Sequence, residues 1–326
     1  MTLVRRTFIQ GAASAIALPA WAQRDPAADY PNRPIKLICP FAPGGGVDLT
    51  ARTLAQRLNE SWGQPVVVDN KAGANGTIAV EAVAKSPADG YMLTMISSSH
   101  SVNVTLQSRH PYDLEKDVIP ITQATTQPYC LVVNPALPVK NLQDLINLAR
   151  QKPDTLTYGS SGIGGFSHLA GALFGSVTGT KLMHIPYKGG APAMADVISG
   201  QISMLFSTIL QSHTHINSGK LRPLAVTTTR RANALPEIPT MLELGVKLDM
   251  AGWYGVMAPR GTPQPIVDKL NREMSRILKL PSTRERLAAD GSEPVGNTPA
   301  EFGAHIGSEI RRWRALINEL GIKGEG

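Results

Sequence analysis

A strand-to-helix joint near the start of the chain sets the strongest limit on how it can fold. Ile35, Leu37, Ile38 and Cys39 form an apolar run of strand length, Pro40-Phe41-Ala42-Pro43-Gly44-Gly45-Gly46 is a turn, and Val47, Ala51, Leu54, Ala55, Leu58 and Trp62 recur at helical spacing. A helix entered through glycines presents unpaired N–H groups and the positive end of its dipole to whatever lies above the turn, which suits an anion. Two nucleotide-binding patterns fail on these residues. A phosphate-binding loop needs Gly-Lys-Ser/Thr, and Val47-Asp48 follows the glycines; a dinucleotide fingerprint needs a third glycine where the chain has Leu49. The turn therefore points to a carboxylate in preference to a polyphosphate. A branched side chain at Gly45 is expected to obstruct the amides and to meet a positive φ.

The first residues indicate export. Arg5-Arg6-Thr7-Phe8-Ile9 precedes an apolar segment, Gly11 to Ala20, too short to span a bilayer, and Ala20-Trp21-Ala22 places small residues where a signal peptidase reads. Residues 1–22 read as a cleavable signal of twin-arginine type, with a Sec signal as the alternative; both end in the periplasm. No later stretch approaches ~20 apolar residues, so a soluble mature chain is expected from about Gln23.

Hydrophobic residues make up 42% and charged residues 17% of the 326, enough for a large core or for two lobes. Removing Arg5 and Arg6 with the signal leaves 30 basic against 25 acidic residues, scattered and without interleaved aromatics, which argues against nucleic acid as a partner. Cys39 and Cys130 lie in strand-like runs with no metal-ligand or Cys-x-x-Cys spacing, so no metal or cofactor is expected. Two buried free thiols are favoured over a disulfide, which export would permit.

One pattern occurs twice. After the first strand and helix come Val66 to Val68, a helix from about Thr77 to Lys85, and strand Met92 to Ile96 ending in Ser97-Ser98-Ser99-His100. From Tyr129 the pattern restarts with Leu131 to Val133, a helix near Leu142 to Arg150, and strand Leu156 to Tyr158. Gly159-Ser160-Ser161-Gly162-Ile163-Gly164-Gly165-Phe166-Ser167-His168 then opens another helix. Strands near Lys181 to Pro186, Ser203 to Phe206, Leu224 to Val226 and Trp253 to Ala258 follow, with a third glycine turn at Tyr187-Lys188-Gly189-Gly190 and two terminal helices. Such alternation predicts α/β sheets with a ligand crevice beyond the carboxyl ends of the strands, where Ser98 and Ser99 would sit.

Tyr30-Pro31-Asn32-Arg33-Pro34-Ile35, the Pro40 to Asp48 turn, the run from Gly63 to Gly76, Ala88-Asp89-Gly90-Tyr91, His184 to Pro192 and Leu235-Pro236-Glu237-Ile238-Pro239-Thr240 together resemble the Bug family. Those proteins are periplasmic receptors of tripartite tricarboxylate transporters. The resemblance covers essentially the whole mature chain and implies a two-lobed type II periplasmic-binding-protein (venus-flytrap) fold. Residues 23–128 with 257–326 would form the first lobe and residues 129–256 the second, crossing near Tyr129 to Val133 and Trp253 to Met257.

The resemblance also implies a small carboxylate held between the lobes of a monomer, with the large and small transporter subunits as membrane partners that some members lack. By matching motif, Phe41, Ala42, Gly44, Gly45 and Asp48 would contribute from the first lobe. Ser160, Ser161, Gly162, Ser167, Tyr187 and Gly190 would contribute from the second, with Tyr187 alternatively a packed ring with a satisfied hydroxyl. Ser207 occupies the place where members often carry an aspartate. Its loss removes a preference for amino groups and favours a dicarboxylate or aromatic carboxylate over an amino acid, unless the position simply faces water.

The alternative is a secreted serine hydrolase acting on a small ester or amide. Gly-x-Ser-x-Gly fails at Gly159, because Ile163 stands where the last glycine belongs. His168 reads as a helix residue packing or capping near the crevice, and His213 with His215 as a solvated loop pair without a third ligand.

Overall fold

The computed structural model describes residues 25–106, 110–187, 189–288 and 291–322. The proposed export signal lies outside the described residues. No helix among them is long and apolar enough to cross a membrane.

The first half runs β1 (Ile35–Cys39), α1 (Gly46–Trp62), β2 (Val66–Asn70), α2 (Thr77–Ala84), β3 (Met92–Ser97), α3 (Ser98–Leu106) and β4 (Val118–Val133). Then follow α4 (Leu142–Gln151), β5 (Thr157–Ser160), α5 (Phe166–Thr178), β6 (Met183–Pro186), α6 (Gly190–Ser199), β7 (Met204–Thr208), α7 (Ile209–Asn217) and β8 (Arg222–Val226). The chain returns through β9 (Ala251–Pro259), α8 (Gln264–Lys279), α9 (Pro281–Ala288), β10 (Glu293–Pro294) and α10 (Pro299–Leu320).

The strands lie in the order β2-β1-β3-β9-β4-β7-β5-β6, with β8 and β10 also against β4. Pairs β1–β2, β1–β3, β5–β6 and β5–β7 are parallel, and β4 and β9 run antiparallel to their neighbours. The long β4 joins two sheets. Residues up to Pro128 pair with β9, whereas Tyr129 to Val133 pair with β7 and β8. On the return, Ala251 already sits opposite Pro128 and Gly252 opposite Gln127 in the first sheet, so residue 257 falls inside β9 rather than at a junction.

Each sheet is buried by its own helices. Ile35, Leu37, Leu54, Leu58 and Leu270 belong to the first core, and Leu131, Leu145, Leu169, Phe174 and Phe206 to the second. α1 forms because its apolar residues repeat on one face, and it stops at Gly63, a left-handed residue whose N–H returns to Asn59 C=O at 2.9 Å.

α10 begins with a full capping box, in which Thr298 Oγ1 accepts from the Glu301 N–H and the Glu301 carboxylate accepts from the Thr298 N–H. Phe302, Ile306 and Ile310 then pack beside Trp253 of the first lobe, while Trp313, Leu316 and Ile317 enter the second core. The last helix therefore bridges the two lobes. Between its halves, the buried Glu309 carboxylate accepts from the indole N–H groups of Trp313 at 2.9 Å and Trp253 at 3.5 Å.

Other departures from the sequence reading have local causes. Ser98 to Leu106 is a helix with few apolar residues: Val102 and the half-buried Leu106 face the second core, and the half-buried Val104 lies on the opposite side beside the Trp253 cluster. Pro120 and Pro128 interrupt the pattern of β4; Pro120 sits at the first of two register shifts, and Pro128 is the last residue paired with β9 before the strand passes to β7. His213 and His215 sit on α7, two residues and about 200° apart on the helix, a separation that prevents shared metal binding. Among the described residues no cluster of ligands could hold a metal. The terminal region carries three helices, with α9 as a short addition. Cys39 and Cys130 are buried free thiols, one in each sheet.

Candidate functional site: a neutral cavity ringed by helix starts

A cavity of about 540 Å³ lies where the two sheets meet. α1 reaches its wall with Gly45 and Gly46, α3 with Ser98 and Ser99, α5 with Gly165 to Ser167, α6 with Gly190, and α7 with Thr208 and Leu210. For α1, α5, α6 and α7 the residue preceding the helix makes no side-chain capping bond. Of the helices that begin off the wall, α4 and α10 carry side-chain caps, from Asn141 and Thr298, whereas α2 and α8 carry none. The first internal bond of α1 is Leu49 N–H to Gly45 C=O at 2.9 Å, and of α5 Leu169 N–H to Gly165 C=O at 3.1 Å. The N–H groups before them, at Gly46 to Asp48 and Phe166 to His168, have no acceptor within their helices. No Asp, Glu, Lys or Arg lines the cavity among the described residues. What the wall offers is backbone N–H, hydroxyls, side-chain amides and aromatic faces.

The first turn is braced from below. Asp48 is buried, and its carboxylate accepts from the Gly44 N–H at 3.0 Å, Arg52 Nε at 2.9 Å and Asn70 Nδ2 at 2.9 Å. Burial pushes this carboxyl's pKa up, but the bonds from Arg52, Gly44 and Asn70 outweigh that and leave it below the usual value. The left-handed residue of the turn is Gly44, at φ +92°; Gly45 is extended, at φ −85° and ψ 170°, so no positive φ stands in the way of a side chain there. A Cβ on Gly45 would meet nothing within 4 Å, whereas one on Gly46 would lie 2.8 Å from the Tyr254 hydroxyl.

The second turn is braced by side chains that look inward. Ser160 is fully buried; its Oγ accepts from the Gly162 N–H at 3.1 Å and lies 2.6 Å from His184 Nε2. The Gly164 N–H donates to His168 Nδ1, and the Ser161 N–H donates to Ser167 Oγ, both at 3.1 Å. His168 thus caps the turn from its helix, stacked on His184 with ring centres 4.0 Å apart.

Of the residues expected at the site, the cavity wall includes Phe41, Gly44, Gly45, Ser98, Ser99, Ser161, Ser167 and Gly190. Ala42 is exposed outside it, while Asp48 and Ser160 lie behind the turns. Gly162, at φ +131°, shapes the second turn without lining the cavity. Tyr187 donates its hydroxyl to Asp196 at 2.6 Å, an arrangement that ties β6 to α6 and faces the ring away. Ser207 is buried and donates to its neighbour's carbonyl, so the strand presents Thr208 to the cavity in its place.

A sequence model described as the tripartite tricarboxylate transporter family receptor matches residues 50–322. The chain belongs to this receptor family. Its sequence is 40% identical over 297 residues to BugT of Bordetella pertussis, covering 90% of this chain and 91% of that protein. Among solved structures it is similar to a Rhodopseudomonas palustris protein with adipate, with a TM-score of 0.82 and 38% identity over 91% of this chain and all of that one. It is also similar to MatC from the same organism with bound malate, with a TM-score of 0.76 and 29% identity over 88% of this chain and all of MatC.

The receptor's cavity also contains residues that the sequence reading passed over. Tyr129, Phe166, Phe206 and Tyr254 supply aromatic faces, and Asn75, Gln127 and Gln211 supply amides. Gln127, Tyr129, Gly252 and Tyr254 come from the strands that connect the sheets. Crossing strands pass directly beneath a cleft, and that placement was the one available signal for them.

His100 lies beneath the first turn, fully buried, with Nδ1 accepting from the Ser97 N–H at 3.1 Å. Burial lowers its pKa from 6.5 to about 4. Between those values the unfolded chain holds a proton that the folded receptor excludes, so stability falls as the pH drops from about 7 towards 4. Melting the parent and His100→Gln across that range should show a shallower slope for the variant; parallel slopes would remove His100 from the account.

Proposed function

We propose that this receptor works in the periplasm, where its lobes close on one small carboxylate without transforming it and present it to the membrane subunits of a tripartite transporter. The bodies that close divide between Pro128 and Tyr129 on the way out and near Ala251 on the return. The observation that carries the reading is the convergence of uncapped helix starts from both lobes on a cavity without charged side chains. A carboxylate is a strong acceptor that these N–H and hydroxyl groups satisfy, and helix dipoles favour its charge. The volume falls within the range of roughly 300–1,000 Å³ common for small-molecule sites. Relatives with adipate and with malate support an aliphatic dicarboxylate. An amino acid is disfavoured because its ammonium group would meet no carboxylate among the described wall residues. Aromatic acids are the second class, favoured by the Phe41, Phe166 and Phe206 faces.

The hydrolase reading is weakened at each serine that could serve it. Ser97 lines the cavity, but His100 Nδ1, 3.3 Å from its Oγ, already accepts from the Ser97 N–H. Ser160 pairs with His184 but is fully buried, and Ser161 has Ser167, at 3.4 Å, as its hydroxyl partner. Thermal shift and calorimetry with aliphatic dicarboxylates, tricarboxylates, aromatic acids and acidic amino acids should give binding and no product. Turnover of an ester or amide that disappears in Ser161→Ala would reverse the assignment.

For the acid that binds, Ser161→Ala should weaken affinity about tenfold, because a hydrogen bond to a charged acceptor is worth roughly 1.5–3 kcal/mol. His213→Ala, on α7 outside the cavity wall, should stay within about twofold.

A further inference from the structure

We propose that Asn75 reads a hydroxyl group on the ligand, so that the preferred acid is a hydroxy-dicarboxylate; this rests on the carboxylate reading above. Asn75 lines the cavity from the loop between β2 and α2. The backbone there is unusual: Gly73, Ala74, Asn75 and Gly76 all have positive φ, at +138°, +46°, +51° and +90°. Asparagine tolerates this left-handed conformation better than most side chains, but alanine does not favour it, and such runs persist only when the surroundings enforce them. The surroundings are tight: a Cβ on Gly76 would lie 2.5 Å from His100 Nε2, and one on Gly73 would lie 2.7 Å from Ile78 Cδ1.

The orientation of the Asn75 amide follows from its partners. Asn103 Nδ2 donates to the Asn75 backbone carbonyl at 3.2 Å, and a carbonyl can only accept. That assigns the nitrogen of Asn103, so its oxygen faces Asn75 and can only accept as well. The atom of Asn75 that meets it at 2.9 Å is therefore Nδ2, and Asn75 Oδ1 is the end left for a ligand. Asn103 is buried and off the cavity wall, which fixes the pair from behind.

Asn75 Oδ1 joins the amide oxygens of Gln127 and Gln211 as an acceptor on a wall otherwise rich in N–H groups and hydroxyls. A carboxylate oxygen placed against Oδ1 is repelled. An ammonium group would satisfy it but brings a charge that no described wall residue balances. A hydroxyl group supplies the donor without the charge.

The test uses pairs of acids that differ by one hydroxyl: succinate and malate, glutarate and 2-hydroxyglutarate, adipate and 2-hydroxyadipate. Calorimetry would be run on the parent and on Asn75→Gly, which keeps the left-handed backbone without strain and deletes only the amide. In at least one pair the parent should bind the hydroxy acid about fivefold or more tighter, and Asn75→Gly should reduce that ratio to within about twofold. Any loosening of the loop affects both members of a pair and cancels in the ratio. A parent that binds these acids without preferring the hydroxyl, or a variant that keeps the preference, overturns the role of Asn75 and leaves the carboxylate reading standing. A parent that binds none of the six overturns the role of Asn75 together with the aliphatic-dicarboxylate assignment and turns the carboxylate reading to the aromatic acids.

Discussion

Gly45→Val is expected to fold like the parent and to lose at least about a hundredfold in affinity for the acid it binds best. Gly45 is extended, a conformation valine adopts readily, and a Cβ there meets no atom within 4 Å, so the cost to the folded protein is small. The open space is the cavity itself. A branched side chain would stand between the ligand and the N–H groups that begin α1, removing more than one charge-assisted bond worth roughly 1.5–3 kcal/mol each. Calorimetry with a parallel melting curve measures both halves of the expectation. Parent-like affinity in a folded Gly45→Val protein would place the carboxylate away from the first turn.

Trp313→Ala should have the largest effect on stability. The ring is fully buried in the second core, sits edge-on to Phe166 with centres 6.0 Å apart, and donates its N–H to Glu309. Truncating a buried tryptophan costs about 3–5 kcal/mol, and here it also takes the nearer donor from a buried carboxylate. The melting temperature should fall on the order of 10 °C. Because Phe166 is both the first residue of α5 and part of the cavity wall, affinity should decline as well. A fall of less than about 2 °C would mean that the end of α10 contributes little to holding the lobes.

Most of the framework was legible in the sequence because it depends on local rules. The apolar run of β1, the helical spacing of α1, the capping box of α10 and the glycine turns before α1, α5 and α6 are all written in neighbouring residues. The site was legible only in part. Glycine turns identify where amides are exposed, and Gly44, Gly45, Ser161 and Gly190 lie at the cavity wall. Which way a turn's side chains look is decided by tertiary partners. Asp48 turns inward to Arg52 and Asn70, Ser160 to His184, and Tyr187 to Asp196, and of those pairings only Asp48 with Arg52, four residues apart on α1, has a sequence spacing that announces it. Ser207 illustrates the strand version of the problem. Shifting attention by a single residue along β7 exchanges a buried side chain for one at the cavity, and sequence pattern did not fix that register.

The uncharged wall has a consequence for the conditions under which the protein can work. Mobile ions weaken attraction between exposed charges over a Debye length of about 8 Å at physiological ionic strength, and receptors that rely on surface lysines or arginines lose affinity as salinity rises. Here the attraction to an acid comes from backbone dipoles a few bonds from the ligand, inside a cavity that dissolved ions share poorly. Capture then depends on how much of the acid is present and hardly on how brackish the surrounding water is.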